Sequence, residues 1–160
     1  MISRDKILVR AGHEVDLPKI LALVKELAVY ERAADEVNTT IDEYKSAMRA
    51  NLFRLLVAEV QGEVVGMMLY YEVFSTWKGR MVYLEDFVVA ERVRRSGAGA
   101  LLWQALIDNA KQLGARGLRW QVLDWNEPAK AFYRKVGAEL EGGWENGRLF
   151  FAVDRRSMGD

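Results

Sequence analysis

The chain has 160 residues, 51% of them hydrophobic and 29% charged, which is enough for one domain with a sizeable core. Its 23 basic and 23 acidic residues cancel, which argues against nucleic acid or an anionic membrane as a partner. With no cysteine and one histidine, His13, disulfides, thiolate metal sites and a cysteine nucleophile are excluded, and no metal site is expected.

No apolar run reaches membrane-spanning length, roughly 18 residues. The start Met1-Ile2-Ser3-Arg4-Asp5-Lys6 lacks the apolar stretch of a signal peptide, so a cytoplasmic protein is expected. Ile7 to Arg10 reads as a short strand. Asp16 is placed as the N-cap of a helix in which Leu17, Ile20, Leu21, Val24, Leu27 and Ala28 recur at helical spacing. Thr40 and Glu43 form a capping-box pair opening a second helix. Phe53–Val60, Glu63–Val73 and Arg80–Val89 read as three consecutive strands, the first two joined by Gln61-Gly62.

The period then changes. Gly97 to Leu113 carries Leu101, Leu102, Ala105, Leu106 and Ala110 on one helical face. Leu118–Leu123 is a predicted strand, and Asn126 caps a short helix to Val136 that Gly137 ends. Further strands are predicted at Ala138–Leu140 and Leu149–Val153. Pro18 and Pro128 both fall in first turns, where a missing N–H costs nothing. The order is β-α-α-β-β-β-α-β-α-β-β, an α/β fold (α+β, mixed sheet) in a single domain over residues 1–160. It lacks the strict βα alternation of a dinucleotide-binding domain.

Chemistry concentrates first at Arg94-Arg95-Ser96-Gly97-Ala98-Gly99-Ala100, where a strand gives way to a long helix. Glycines let a phosphate approach the backbone, and first-turn N–H groups with the helix dipole attract an anion. A flexible turn with solvated arginines is the competing reading. A P-loop is excluded, since no Gly-Lys-Ser/Thr follows. Glu85 and Asp86 are adjacent in a strand among Leu84, Phe87 and Val88, so alternation sends them to opposite faces. A carboxylate there is costly unless it has a task or a solvated face.

The stretch Arg94 to Gly99 resembles the acetyl-CoA signature Arg/Gln-x-x-Gly-x-Gly/Ala of the GNAT superfamily of N-acetyltransferases, and the element order is GNAT-like. Tyr83-Leu84-Glu85-Asp86-Phe87-Val88-Val89, Trp125 to Tyr133 with Gly137-Ala138, and Lys25 to Glu31 resemble the diamine (spermidine/spermine) branch, which includes thialysine acetyltransferases. The resemblance implies acetyl-CoA as cosubstrate, held by Phe87, Val88, Val89, Arg94 to Ala100, Asn126, Lys130 and Tyr133. It implies an oxyanion-holding backbone N–H on Phe87 or Val88, Glu85 as the carboxylate taking the amine's proton, and Tyr133 as the acid protonating the thiolate. Asp86 is taken as structural. Tyr30, Glu31, Glu85, Arg119, Trp120, Gln121 and Glu145 are the implied contacts of a small-molecule primary amine, diamine or thialysine in type. Arg32-Ala33-Ala34 interrupts the acidic run of the polyamine enzymes, and Arg32 could meet a substrate carboxylate or do nothing. A homodimer is implied, with Leu149-Phe150-Phe151 at an interface or in an ordinary core strand. The rival readings are a non-catalytic acyl-CoA sensor and an acetyltransferase for another small amine or amino acid.

Overall fold

A computed structural model describes residues 2–152. They fall into two compact units, one ending at Leu123 and one beginning at Asp124.

The first unit is a five-stranded sheet with three helices. In chain order it comprises β1 (Ile7–Ala11), α1 (Leu17–Tyr30), α2 (Ile41–Arg49), β2 (Arg54–Val60), β3 (Glu63–Ser75), β4 (Gly79–Val89), α3 (Ala98–Gln112) and β5 (Leu118–Trp120). The strands lie in the order β1-β2-β3-β4-β5, antiparallel as far as β4, with β5 parallel to β4. Gln61 and Gly62, with φ of 52° and 80°, make the tight turn between β2 and β3. Positive φ at both positions matches the twist of the paired strands. Thr40 caps α2 reciprocally, accepting from Glu43 N at 3.2 Å while Glu43 Oε2 accepts from Thr40 N at 2.6 Å.

Both faces of the sheet are covered, so β2 and β3 read as continuous apolar runs. Leu55–Ala58 and Val64–Tyr70, Gly66 aside, are buried side chains. α3 packs on β2 and β3, burying Leu102 and Leu106 completely. α1 packs on β3 and β4 through Leu17, Ile20 and Leu23.

Asp16 departs from its expected role. Its side chain makes no cap bond to α1. It accepts from both terminal nitrogens of Arg10, at 2.8 and 2.9 Å, and from His13 N at 2.8 Å. Arg10 Nε donates to Glu59 at 2.9 Å. A buried carboxylate needs a full set of donors more than a helix end needs one acceptor.

The second unit contains α4 (Glu127–Lys135). The strands expected at Ala138–Leu140 and Leu149–Val153 do not form among the described residues: 138–152 holds neither helix nor strand, and Val153 lies outside them. Gly142, Gly143 and Gly147 weaken any extended run there, and the described residues record no strand pairing for it. The strand at Leu118 stops at Trp120, three residues short of expectation.

Gly12 crosses close to β2. Its N–H donates to Leu55 O at 2.9 Å, and a Cβ at Gly12 would lie 2.6 Å from Leu55 Cβ. Gly12→Ala should therefore lower stability by about 1–3 kcal/mol through overpacking, read as a drop in urea midpoint at unchanged m-value.

Candidate active site

The site is built on an irregularity in β4. On β3, Leu69 pairs with Asp86 and Tyr70 with Leu84, so Glu85 is an extra residue with no partner. Such a bulge re-aims the side chains around it. Alternation between Glu85 and Asp86, expected from sequence, is interrupted here. One strand over, the ladder to β5 ends at Leu84–Trp120. Beyond that pair, Phe87 to Val89 are matched only with β3.

Three tyrosines surround the bulge. Tyr71 pairs with Tyr83 across β3 and β4, and their rings stack at 5.5 Å. The Tyr71 hydroxyl donates to Glu85 Oε2 at 2.7 Å. Tyr44 on α2 meets Phe53 edge-on at 6.0 Å. Burial, followed by the hydrogen bond to Glu85, pushes the Tyr71 phenol well above its usual range. Burial and then the charge of Glu85 raise Tyr83, while Arg119 acts in the opposite direction. Burial also raises Tyr44, and Asp86 and Glu85 add to it.

The carboxylates share one field. Burial pushes the Asp86 carboxyl up to about 6, with Glu85 and Glu31 contributing repulsion. Burial raises Glu31 as well. None of the three forms a salt bridge among the described residues, in contrast to the compensated Asp16. Stacked phenols around uncompensated carboxylates suit a cation. A cleft of about 420 Å³ is lined by Asn51, Leu52, Phe53, Arg54, Tyr71 and Glu72.

The Arg94–Ala100 segment turns into α3, as the helix start read from sequence requires. Arg95 and Gly97 have φ of 65° and 95°, curling the backbone into the start of α3. Ser96 Oγ accepts from Ala98 N at 3.4 Å. The amides of Gly99 and Ala100, in the first turn, have no carbonyl of their own helix to meet. The Arg94 guanidinium lies over the Tyr30 ring, 5.7 Å from its centre, and its Nε donates to Val89 O at 3.4 Å. Tyr30, expected beside the amine, is therefore packed against the loop. Arg95 is exposed.

In the second unit, Asn126 is buried and caps α4 by accepting from Ala129 N at 3.3 Å. Lys130 Nζ donates to Asp124 O at 2.9 Å and to Glu127 Oε1 at 3.0 Å. Tyr133 is buried, with its ring edge-on to Phe132 at 5.7 Å. Gly137, at φ 85°, ends the helix, and Ala138 N donates to Tyr133 O at 2.9 Å. Glu145 is exposed, in the stretch without regular structure.

Residues 20–138 match the Acetyltransferase (GNAT) family. The chain belongs to this family. It is 37% identical over 147 residues to the thialysine N-epsilon-acetyltransferase of Bos taurus, covering 83% of this chain and 84% of the bovine one. It is 31% identical over 167 residues to the spermidine/spermine N(1)-acetyltransferase-like protein 1 of Homo sapiens, covering 99% of this chain and 24% of the human one. An aminoglycoside acetyltransferase from an uncultured soil metagenomic sample, solved with sisomicin, superposes with a TM-score of 0.74 at 18% identity, covering 94% of this chain and 98% of that one. The last similarity speaks to the fold.

The GNAT chain is thus an N-acetyltransferase whose first unit carries Glu31, Glu85, Asp86, Phe87–Val89 and the Arg94–Ala100 loop. Trp120 is turned from the acidic face: its ring meets Trp103 of α3 edge-on at 5.4 Å. Gln121 follows the last paired residue of β5. Sequence reading gave no site role to Tyr71, Tyr83 or Tyr44. The signal available was Tyr71 and Tyr83 at like distances from the β3–β4 turn, which an assumed hairpin register would have paired. No helix among the described residues is long and apolar enough to cross a membrane, and no group of three or more metal-ligating side chains occurs among them.

The raised carboxyl gives a stability test. A folded-state value of about 6 against an unfolded 3.8 means the native state binds the extra proton between those values. Stability from this group is therefore present at low pH and lost as pH rises through 6. Asp86→Asn should unfold later than the parent at pH 7.5, by about 1–2 kcal/mol after allowance for screening. The gap should close between pH 6 and pH 4 in paired thermal melts.

Proposed function

We propose that this chain transfers an acetyl group from acetyl-CoA directly to a primary amine of a small molecule of the diamine or thialysine type, and that its two units act as one domain over residues 1–160. The observation that carries this reading is the pairing of an uncompensated acidic, tyrosine-lined site with the curled Arg94–Ala100 loop at the two ends of the same strand-to-helix segment. The GNAT match runs through the boundary at Leu123, which supports a single domain. The names of the bovine and human relatives support an amine acceptor.

Acetyl-CoA, when bound, supplies the acetyl thioester. The amides at the start of α3, with Arg94 and Arg95, suit its pyrophosphate, and Gly97 and Gly99 place no side chain at that turn. Ser96, Ala98 and Ala100 belong to the same turn, and Asn126 and Lys130 are assigned to its pantetheine arm. Backbone N–H groups of Phe87 or Val88 serve as the oxyanion donors, beside Val89, on the stretch of β4 that β5 does not pair. Glu31 and Glu85 attract the ammonium form of the acceptor, and Asp86, taken from sequence as structural, adds to their field. A Lys-like amine near pKa ~10.4 costs roughly 4–5 kcal/mol to neutralise at pH 7, so a proton acceptor is required. Glu85, oriented by the Tyr71 hydroxyl, takes that proton directly or through water. The free amine nitrogen attacks the thioester carbon, and Tyr133 gives its phenolic proton to the departing thiolate. No covalent acetyl-enzyme forms on cysteine, since the chain has none.

Incubation of the purified chain with acetyl-CoA and a panel of primary amines, followed by released thiol, tests the reading as a whole. Tyr133→Phe should lower kcat by about 10²-fold or more while leaving acetyl-CoA affinity near that of the parent. Unchanged turnover would remove Tyr133 from the mechanism.

We also assign the active form as a homodimer. Trp144, Leu149, Phe150 and Phe151 are each more than 80% exposed in the single chain, an unusual density of large apolar side chains for one segment. Light scattering coupled to gel filtration should return twice the chain mass of 18.3 kDa. A monomer at all concentrations would reject this assignment.

A further inference from the structure

The acidic site has one basic wall. β5 is only three residues long, and its middle residue, Arg119, pairs with Tyr83 of β4. Tyr83 in turn pairs with Tyr71 of β3. Side chains of residues directly opposite one another share a face of the sheet. Arg119, Tyr83 and Tyr71 therefore form a row across one face, and Tyr71 ends that row on Glu85 through its 2.7 Å hydrogen bond. The neighbours confirm the facing. Trp120, next along β5, meets Trp103 of α3 on the other side, and Tyr70, next to Tyr71, is bonded to Asn109 of α3 at 3.0 Å. The charge of Arg119 is felt at the Tyr83 phenol, where it opposes that of Glu85.

Arg119 is exposed and makes no ion pair among the described residues. Yet Glu85 sits one strand away and two residues further along, a diagonal of about 8 Å by ordinary strand spacings. The guanidinium and the carboxylate thus flank the Tyr83 ring without neutralising each other. A bare polycation gains nothing from a guanidinium beside its binding site and is repelled by it. An amino acid whose α-carboxylate lies an extended lysine-like side chain away from the reacting amine can meet Arg119 with the carboxylate while that amine meets the acidic end, its α-ammonium staying on the solvent side. Guanidinium is also the group best matched to a carboxylate, through two parallel N–H···O bonds.

Resting on the acetyltransferase reading above, and within it on an acceptor of the thialysine type, we propose that Arg119 is the residue that binds that acceptor's carboxylate. The Tyr71–Tyr83 stack forms the apolar floor under the methylenes between the two charges. Arg119 is then a specificity residue, with no part in proton transfer.

Matched acceptors that differ by one carboxylate test this: lysine against 1,5-diaminopentane, ornithine against 1,4-diaminobutane, and thialysine against its decarboxylated diamine. Initial rates with acetyl-CoA are measured on the full chain, the Arg119→Gln variant and the Arg119→Lys variant. The parent should favour the amino acid in at least one pair. Arg119→Gln should lower the amino-acid-over-diamine ratio of kcat/KM by about tenfold or more, carried by KM for the amino acid, as expected for loss of a charged hydrogen-bonded pair. Arg119→Lys should recover part of that ratio. A parent that favours the diamine in every pair, or an Arg119→Gln ratio equal to the parent's, overturns the proposal while leaving the acetyltransferase reading intact. Absence of turnover on every amine overturns both.

Discussion

A strand can spend both of its hydrogen-bonding edges on neighbours, or it can keep one edge for something else. β4 does the first as far as Leu84 and the second beyond it. The change coincides with the extra residue Glu85, which bends the strand and ends its match with β5. The acidic cluster of the first unit is arranged around that break. The bulge sets Glu85 under the Tyr71 hydroxyl. The stretch Phe87–Val89 then runs, with no second neighbouring strand, into the loop that opens α3. The segment that begins at this one residue of surplus length therefore runs from the acidic cluster to the Arg94–Ala100 loop.

The molecule treats its buried charges in two ways. Around Asp16, each oxygen has a donor, and Arg10 ties β1 to β2 through Glu59 as well. Hydrogen bonding to Arg10 holds the Asp16 carboxyl below its usual range. Around Asp86 the balance is reversed: burial and like charge push the carboxyl upward, with no cation to offset them. The first arrangement is what a scaffold needs, since an unpaired buried charge is destabilising. The second is tolerable only where a ligand brings the missing charge, and such cost is typical of binding and catalytic sites.

Local chemistry was legible from sequence, and long-range geometry was not. The Thr40–Glu43 box, the first-turn prolines, the Asn126 cap and the terminal Gly137 depend on residues within four positions of one another, and all appear where expected. The Arg94–Ala100 loop was readable for the same reason. The bulge at Glu85 was not, because a single inserted residue leaves the apolar pattern of Tyr83 to Val89 almost unchanged. The Tyr71–Glu85 bond spans 14 positions and needs the strand register, which is set by pairing and not by composition. The two final strands were expected from apolar runs alone. Leu149-Phe150-Phe151 has the composition of a strand, but a strand is a property of a pair, and no pairing of this segment occurs among the described residues.

The contact between Arg94 and Tyr30 has a further consequence. A guanidinium lying over an aromatic ring uses its face for that contact and keeps its in-plane N–H groups for other acceptors. An exposed arginine ordinarily surrenders several freely rotating bonds when it meets a phosphate. Here the end of α1 and the carbonyl of Val89 already restrict that rotation. For the acetyl-CoA binding proposed above, part of the ordering entropy would thus be settled during folding, and Tyr30, without touching a phosphate itself, would add to affinity by making the free protein resemble the bound one.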